Sequence, residues 1–130
     1  MAIKDIEPLR ETDAIRTVLQ RFTAGEYTAY PVVNWEGKLI GMLTLGHLKD
    51  ILIDSDSWEW MIVADVMEGA ETILLGRTPL REALETMEDS NAKQLPVVME
   101  EKKGPSCGML DLQQVRKAVE KEMVRVQAGL

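Results

Sequence analysis

Several kinds of chemistry are excluded by what these 130 residues lack. The chain has one cysteine, Cys107, and one histidine, His47. A lone cysteine closes no intrachain disulfide, which fits a reducing compartment. Beside Gly108 at an expected strand start, Cys107 reads as a small apolar filler rather than a reactive thiol. A catalytic dyad needs a nucleophile and a base within hydrogen-bond reach, and these two residues belong to different halves of the chain. Long apolar runs and an apolar leader are also missing, so nothing here spans a bilayer or directs export. The expected location is cytoplasmic. Positive charge is short as well: 15 basic against 22 acidic residues leave a net charge of −7. With no basic run to offset that average, nucleic acid is not an expected partner.

What remains is an ordinary globular composition, 45% hydrophobic and 28% charged, enough for one domain or for two small halves sharing a core. The chain repeats itself. Tyr30-Pro31-Val32-Val33 recurs 65 residues later as Leu95-Pro96-Val97-Val98. At the same offset Ile15, Val18, Leu19 and Phe22 map onto Leu80, Ala83, Leu84 and Met87, each set on the i, i+3, i+4, i+7 stripe of an amphipathic helix. Gly41-Met42-Leu43 returns as Gly108-Met109-Leu110 at an offset of 67, which places two extra residues in a turn of the second copy.

Each copy reads in one order: a helix, a β-branched strand, a turn, a second strand and a closing helix. The expected N-caps of the first helices are Asp13 and Thr78, the latter followed by Pro79 at the first helical position. The turns fall at Asn34-Trp35-Glu36-Gly37 and at 101–105. The closing helices carry Leu48, Ile51 and Leu52 in copy one, and Leu112, Val115, Val119, Met123 and Val126 in copy two. A unit of about 50 residues buries too little surface to be comfortable alone. The expected fold class is therefore mixed α+β: two pseudo-twofold-related halves, each a three-stranded, mainly antiparallel sheet with two helices, packed sheet to sheet. The expected boundaries are 1–53 and 64–130, with 54–63 as linker.

Two copies with Pro-Val-Val and Gly-Met-Leu landmarks in register, joined by a linker ending Ala64-Asp65-Val66-Met67, resemble a tandem pair of cystathionine-β-synthase (CBS) domains. That resemblance implies a regulatory, non-catalytic module that dimerises and often holds adenosyl ligands such as AMP, ADP or ATP. It assigns ligand contacts to Tyr30, Pro31, Thr44 and His47 in copy one and to Leu95, Pro96 and Asp111 in copy two. In nucleotide-binding copies of the family the second strand enters the last helix as G-h-x-T/S-x-x-D, the hydroxyl and helix N-terminus holding phosphate and the aspartate holding ribose. Copy one, Gly41-Met42-Leu43-Thr44-Leu45-Gly46-His47, keeps the threonine and has histidine for aspartate. Copy two, Gly108-Met109-Leu110-Asp111-Leu112-Gln113-Gln114, replaces both. The competing readings are helix caps for Thr44 and Asp111, a half-exposed imidazole for His47, and sheet-interface filling rather than base stacking for Tyr30.

Other motifs fail on composition. Asp54-Ser55-Asp56-Ser57-Trp58-Glu59 has Trp58 where a calcium loop needs an oxygen ligand. Gly37-Lys38-Leu39 lacks both the upstream glycine and the following Ser/Thr of a phosphate-binding loop. The linker is unusually apolar at Trp58, Trp60, Met61, Ile62 and Val63, so either the two packed halves, or a second subunit or membrane-domain partner, cover it. The lead-in of copy one is truncated, with no match for Ala64-Asp65-Val66-Met67 of copy two, which suggests a piece of a longer chain, with Met1 as an engineered start; a short free-standing gene is the alternative.

The segments 48–54 and 60–67 are similar to the join between CBS domains in the cytosolic tails of prokaryotic ClC-type chloride channels and transporters. That parent is favoured over a site-2-type membrane metalloprotease, whose CBS pairs the Tyr-Pro-Val-Val and Gly-Met-Leu-Thr-Leu stretches also resemble. The expected partners are a second copy, an attached or neighbouring membrane domain and an adenosyl small molecule. A purely structural dimerisation module without ligand is the other class.

Overall fold

The computed structural model describes residues 5–25, 27–54, 56–69, 72–101 and 104–129. Copy one comprises β1 (Leu9–Arg10), α1 (Ile15–Ala24), β2 (Ala29–Val33), β3 (Leu39–Thr44) and α2 (Leu45–Asp54). A 3₁₀ turn (Trp58–Trp60) and α3 (Val63–Val66) lead to β4 (Glu68–Gly69). Copy two then runs β5 (Leu74–Leu75), α4 (Leu80–Asp89), β6 (Gln94–Glu101), β7 (Gly104–Asp111) and α5 (Leu112–Gln127).

The duplication is visible in the pairing register. Leu9 and Arg10 pair in parallel with Val32 and Val33, and Leu74 and Leu75 pair in parallel with Val97 and Val98, each residue shifted by the same 65 positions. Pro31 faces Met42 across its antiparallel ladder as Pro96 faces Met109. Backbone alternation sends Tyr30 and Val32 toward α1, where they join Ile15, Val18, Phe22 and Leu43 in the first core. Leu95 and Val97 join Ala83, Met87 and Val115 in the second. The opposite faces of β2 and β6 meet each other, and Val33, Leu39, Cys107 and half-buried Val98 form the seam between the sheets. A fully buried Val or Leu is stabilised by about 1.5–3 kcal/mol, so the two cores and the shared seam hold the halves together.

The halves also exchange segments. β4, the lead-in of copy two, adds to β3 and makes the first sheet four-stranded, in the order β1-β2-β3-β4, against the three strands expected. Gly41 permits this approach: a Cβ there would collide with the Glu68 carbonyl oxygen. In the other direction Ile6 N donates to Cys107 O at 2.8 Å. The linker binds copy one through Ile15 N to Met61 O (3.0 Å) and Val63 N to Asp13 O (2.9 Å).

Three local expectations need correction. The first helices begin one residue later than expected, with Ala14 and Pro79 in the N-cap position and no side-chain cap. Asp13 instead accepts from Arg10 N at 2.9 Å, closing a turn before the helix, and the preset φ of Pro79 (−58°) with extended ψ suits the entry residue. The second hairpin puts its extra residues into strand: the ladder continues to Glu101 paired with Gly104, and Lys102 and Lys103 lie outside the described residues. In copy one the turn closes earlier, because Asn34 Oδ1 accepts from Glu36 N and Lys38 N and Gly37 takes φ +80°. Finally, α5 outruns its core. Val115 and Val119 are buried, but Met123 is 50% and Val126 64% exposed.

Of the apolar linker residues, Val63 is buried, and Trp58 and Met61 pack on the first core. Trp60, 87% exposed, does not. Ser55 lies outside the described residues. Among the described residues no helix is long and apolar enough to cross a membrane.

Candidate functional site

Each helix that follows a Gly-Met-Leu strand starts without a connecting loop, so the strand end and the first helical N–H groups open on one spot. Two clefts form there. Cleft one, about 540 Å³, is lined by Thr28, Met42, Thr44 and Gly46 of copy one, by Glu68 from the copy-two lead-in, and by the 91–94 loop that follows α4. Cleft two, about 170 Å³, is lined by Tyr27, Thr28, Ala29, Gln94, Met109, Asp111 and Gln114, with Ile6 from the copy-one lead-in. The two exchange under the repeat: Met42 becomes Met109, Thr44 becomes Asp111, and the 91–94 loop becomes the segment around 27–29. Gln94 Nε2 donates to Thr28 Oγ1 at 3.3 Å between the copies, and both residues line both clefts.

The helix entrances differ in one way that matters for ligands. In both, the first N–H is taken by the residue just before the paired strand, β2 or β6: Leu45 N donates to Thr28 O and Leu112 N to Lys93 O, each at 2.8 Å. In α5 the next two are taken as well, since Asp111 Oδ1 accepts from Gln113 N at 2.9 Å and Gln114 N at 3.2 Å. A carboxylate on the positive end of the helix dipole is a strong cap. In α2 the Thr44 hydroxyl accepts only from His47 N, at 3.2 Å. Among the described residues Gly46 N has no partner, and Gly46 is exposed at the cleft wall. Cleft one therefore retains a donor that cleft two has spent internally.

A second feature of cleft one is the Glu68 side chain. The Thr44 hydroxyl donates to Glu68 Oε1 at 3.5 Å, and His47 Nδ1 lies 3.7 Å from the same oxygen. Lys93 supplies the cleft's positive charge from the 91–94 loop. That loop is fixed by Asn91, in the left-handed conformation (φ 56°) that stops α4, with Ala92 N bonded to Met87 O at 2.9 Å.

Five of the seven expected contact residues, Tyr30, Pro31, His47, Leu95 and Pro96, line neither cleft. Pro31 and Pro96 are fully buried in the middle of their strands, and Leu95 is buried in the second core. Tyr30, 3% exposed, is held edge-on by Phe22 and Tyr27 at ring distances of 5.0 and 5.8 Å, with the Arg21 guanidinium 4.5 Å over its ring and its hydroxyl donating to Arg21 O. Thr44 and Asp111 line their clefts as helix caps, and His47 reaches cleft one only through Glu68, with Nδ1 3.7 Å from its carboxylate. The residues that sequence reasoning missed are Thr28, Gly46, Glu68, Lys93 and Gln94. Thr28 and Lys93 were findable, because each precedes its repeat's proline by three positions.

A larger depression of about 790 Å³ lies at the other end of the strands, by the 34–37 turn and Cys107. Its buried Ser106 hydroxyl has no hydrogen-bond partner among the described residues. Burial, reinforced by the charge of Asp5, raises the Cys107 thiol pKa, which keeps it protonated and unreactive. Among the described residues no group of three His, Cys, Asp or Glu could hold a metal ion.

The family model for the CBS domain matches residues 1–54 and 63–121. The chain belongs to the CBS domain family. CBS domains are regulatory modules, generally non-catalytic and often nucleotide-binding. No curated protein matches the chain by sequence. The fold is that of solved CBS pairs. The CBS domains of a transcriptional regulator from Streptococcus pneumoniae are 19% identical, with 88% of this chain and 92% of that one covered and a TM-score of 0.68. A structure of CBSX2 in complex with AMP is 19% identical over 91% and 90% of the two chains, TM-score 0.69. The CBS domain of a bacterial CNNM/CorC family Mg2+ transporter, in complex with ATP, is 14% identical over 88% and 81%, TM-score 0.70.

Proposed function

We propose that this CBS pair is a non-catalytic, cytoplasmic regulatory module that binds an adenosyl compound in cleft one and acts as a homodimer on an attached membrane domain. Its two motifs are 1–53 and 64–130, joined by 54–63. The observation that carries the ligand reading is the Gly46 N–H, without a partner among the described residues, beside Thr44 in a cleft built from both copies. Because copy two supplies Glu68 and the 91–94 loop, an occupant of this cleft has differential contacts with any change of angle between the halves, which is what a regulator requires. The AMP and ATP complexes of CBSX2 and the CorC-family transporter support the class of ligand.

The exposed apolar end of α5 supports self-association, since Met123 and Val126 continue the Val115 and Val119 stripe into solvent. The membrane parent is assigned to the ClC type on the sequence of segments 48–54 and 60–67, and the transporter origin of one structural neighbour agrees with a membrane attachment.

A thermal-shift titration with AMP, ADP, ATP, adenosine and S-adenosylmethionine tests the ligand reading. A ligand that binds only the native state raises Tm progressively once its concentration exceeds Kd. A rise with at least one of these compounds is expected; no shift with any of them at millimolar concentration would leave the structural dimerisation module as the function. Sedimentation of the chain tests the dimer, and a monomer at high protein concentration would remove it.

A further inference from the structure

We infer that the large depression at the hairpin end of the strands is a ligand site in its own right, and that it takes a linear organic polycation of the polyamine class. Its volume of about 790 Å³ falls within the range of small-molecule sites, about 300–1,000 Å³. Both copies build it. The copy-one lead-in and turn supply Asp5, Glu7, Arg10, Glu11 and Trp35, and β7 of copy two supplies Ser106. Its walls are fixed by bonds within the chain. Ile6 N donates to Cys107 O at 2.8 Å, Arg21 donates to the Glu7 and Pro8 carbonyls at 2.7 and 3.3 Å, and Glu11 N donates to Val33 O at 3.1 Å. Asn34 closes the turn that presents Trp35.

The charged side chains lining the depression are the carboxylates of Asp5, Glu7 and Glu11 and the single guanidinium of Arg10. A cleft with such an excess of one sign focuses its field and draws in the opposite charge. The chain itself does not use these carboxylates: among the described residues none of the three has an ion pair or a side-chain hydrogen bond. They do not gather around one ion either, since among the described residues no three acidic, His or Cys side chains could hold a metal. Carboxylates that share a cleft without converging suit a cation whose positive centres are spaced along a chain. Two neutral groups complete the match. Trp35, 85% exposed, offers an indole face to an ammonium and its methylenes. The buried Ser106 hydroxyl in the wall, without a partner among the described residues, offers an acceptor for an ammonium N–H.

Calorimetric titration of the full chain with spermidine, putrescine and Mg2+ at physiological ionic strength, repeated on Trp35→Ala, Glu7→Gln, Glu11→Gln, Arg10→Gln and Ser106→Ala, tests this. The expected order of affinity is spermidine, then putrescine, then Mg2+. Putrescine and Mg2+ carry equal charge, so the gap between them reads charge spacing and aromatic contact rather than net charge. Trp35→Ala should weaken spermidine about two- to fivefold, and Glu7→Gln and Glu11→Gln should each do so by a similar factor. Arg10→Gln should tighten it. Ser106→Ala should weaken spermidine about threefold without lowering Tm, since its hydroxyl has no partner among the described residues to lose. Mg2+ binding as tightly as putrescine, or spermidine binding unchanged by Trp35→Ala and Glu7→Gln, would mean diffuse attraction to an acidic surface and overturn the site. Absence of saturable spermidine binding at millimolar concentration would overturn it too. None of these outcomes bears on the adenosyl reading of cleft one.

Discussion

Copies one and two are built on one plan down to the register of their ladders, yet they treat the same helix entrance in opposite ways. In copy one a neutral hydroxyl caps a single N–H and leaves Gly46 N open to a cleft of about 540 Å³. In copy two the carboxylate of Asp111 takes two N–H groups, and the matching cleft is about 170 Å³. The backbone is thus free to repeat while the ligand chemistry diverges, because one side chain at the strand end decides whether helix donors face outward or are satisfied within the chain. The comparison also shows that cores and clefts answer to different pressures: Leu43 and Leu110 are the same residue and both buried, whereas Thr44 and Asp111, one residue later and both half-buried, differ in chemistry.

The largest expected effect lies in what the copies share. Leu43→Ala and Leu110→Ala should each cost about 2–5 kcal/mol, read from urea unfolding. Because the sheets share a seam and the lead-ins cross between copies, each variant should still unfold in one transition. Two separate transitions would mean that the halves stand independently, and the comparison would become one between two domains.

Smaller effects should separate the two entrances. Asp111→Ala is expected to cost toward the upper end of about 0.5–2 kcal/mol and Thr44→Ala toward the lower end, since Asp111 accepts two bonds and brings a charge to the dipole. Equal losses would show that the caps do not differ. The smallest effect concerns Cys107, which belongs to the seam. Its thiol pKa is raised from 9.0, chiefly by burial and then by Asp5, so above pH 9 the unfolded chain ionises before the folded one. The stability this confers is present below pH 9 and declines as pH rises through the folded value. Cys107→Val should flatten that decline in a series of melting curves, and alkylation of the native thiol at pH 8 should be slow compared with the unfolded chain.

The fold was readable from the sequence because its signals are periodic. The Ile15 and Leu80 stripes, the Pro-Val-Val strands and the Gly-Met-Leu landmarks each record a buried face, and a duplicated pattern doubles the signal. The site was less readable because it is made at crossings between the copies. Glu68 is far in sequence from Thr44 and meets it only because β4 pairs with β3, with Gly41 leaving room for the Glu68 carbonyl. Tyr30 shows the converse: an aromatic beside the proline suggested a stacking surface, but strand alternation turns it into the helix-facing core against Phe22 and Tyr27. Thr44 and Asp111 were legible as caps because capping is local in sequence; which cap leaves a donor exposed depends on the second and third helical N–H groups and was not.

The claim that the two entrances are unequal is tested most directly by following backbone amide resonances during titration with adenosine, which carries no charge and so probes the entrances alone. The account predicts shifts at Gly46, His47, Thr28 and Lys93, with Gln113 and Gln114 unmoved. Shifts centred on Gln113 and Gln114, with Gly46 and His47 silent, would contradict it.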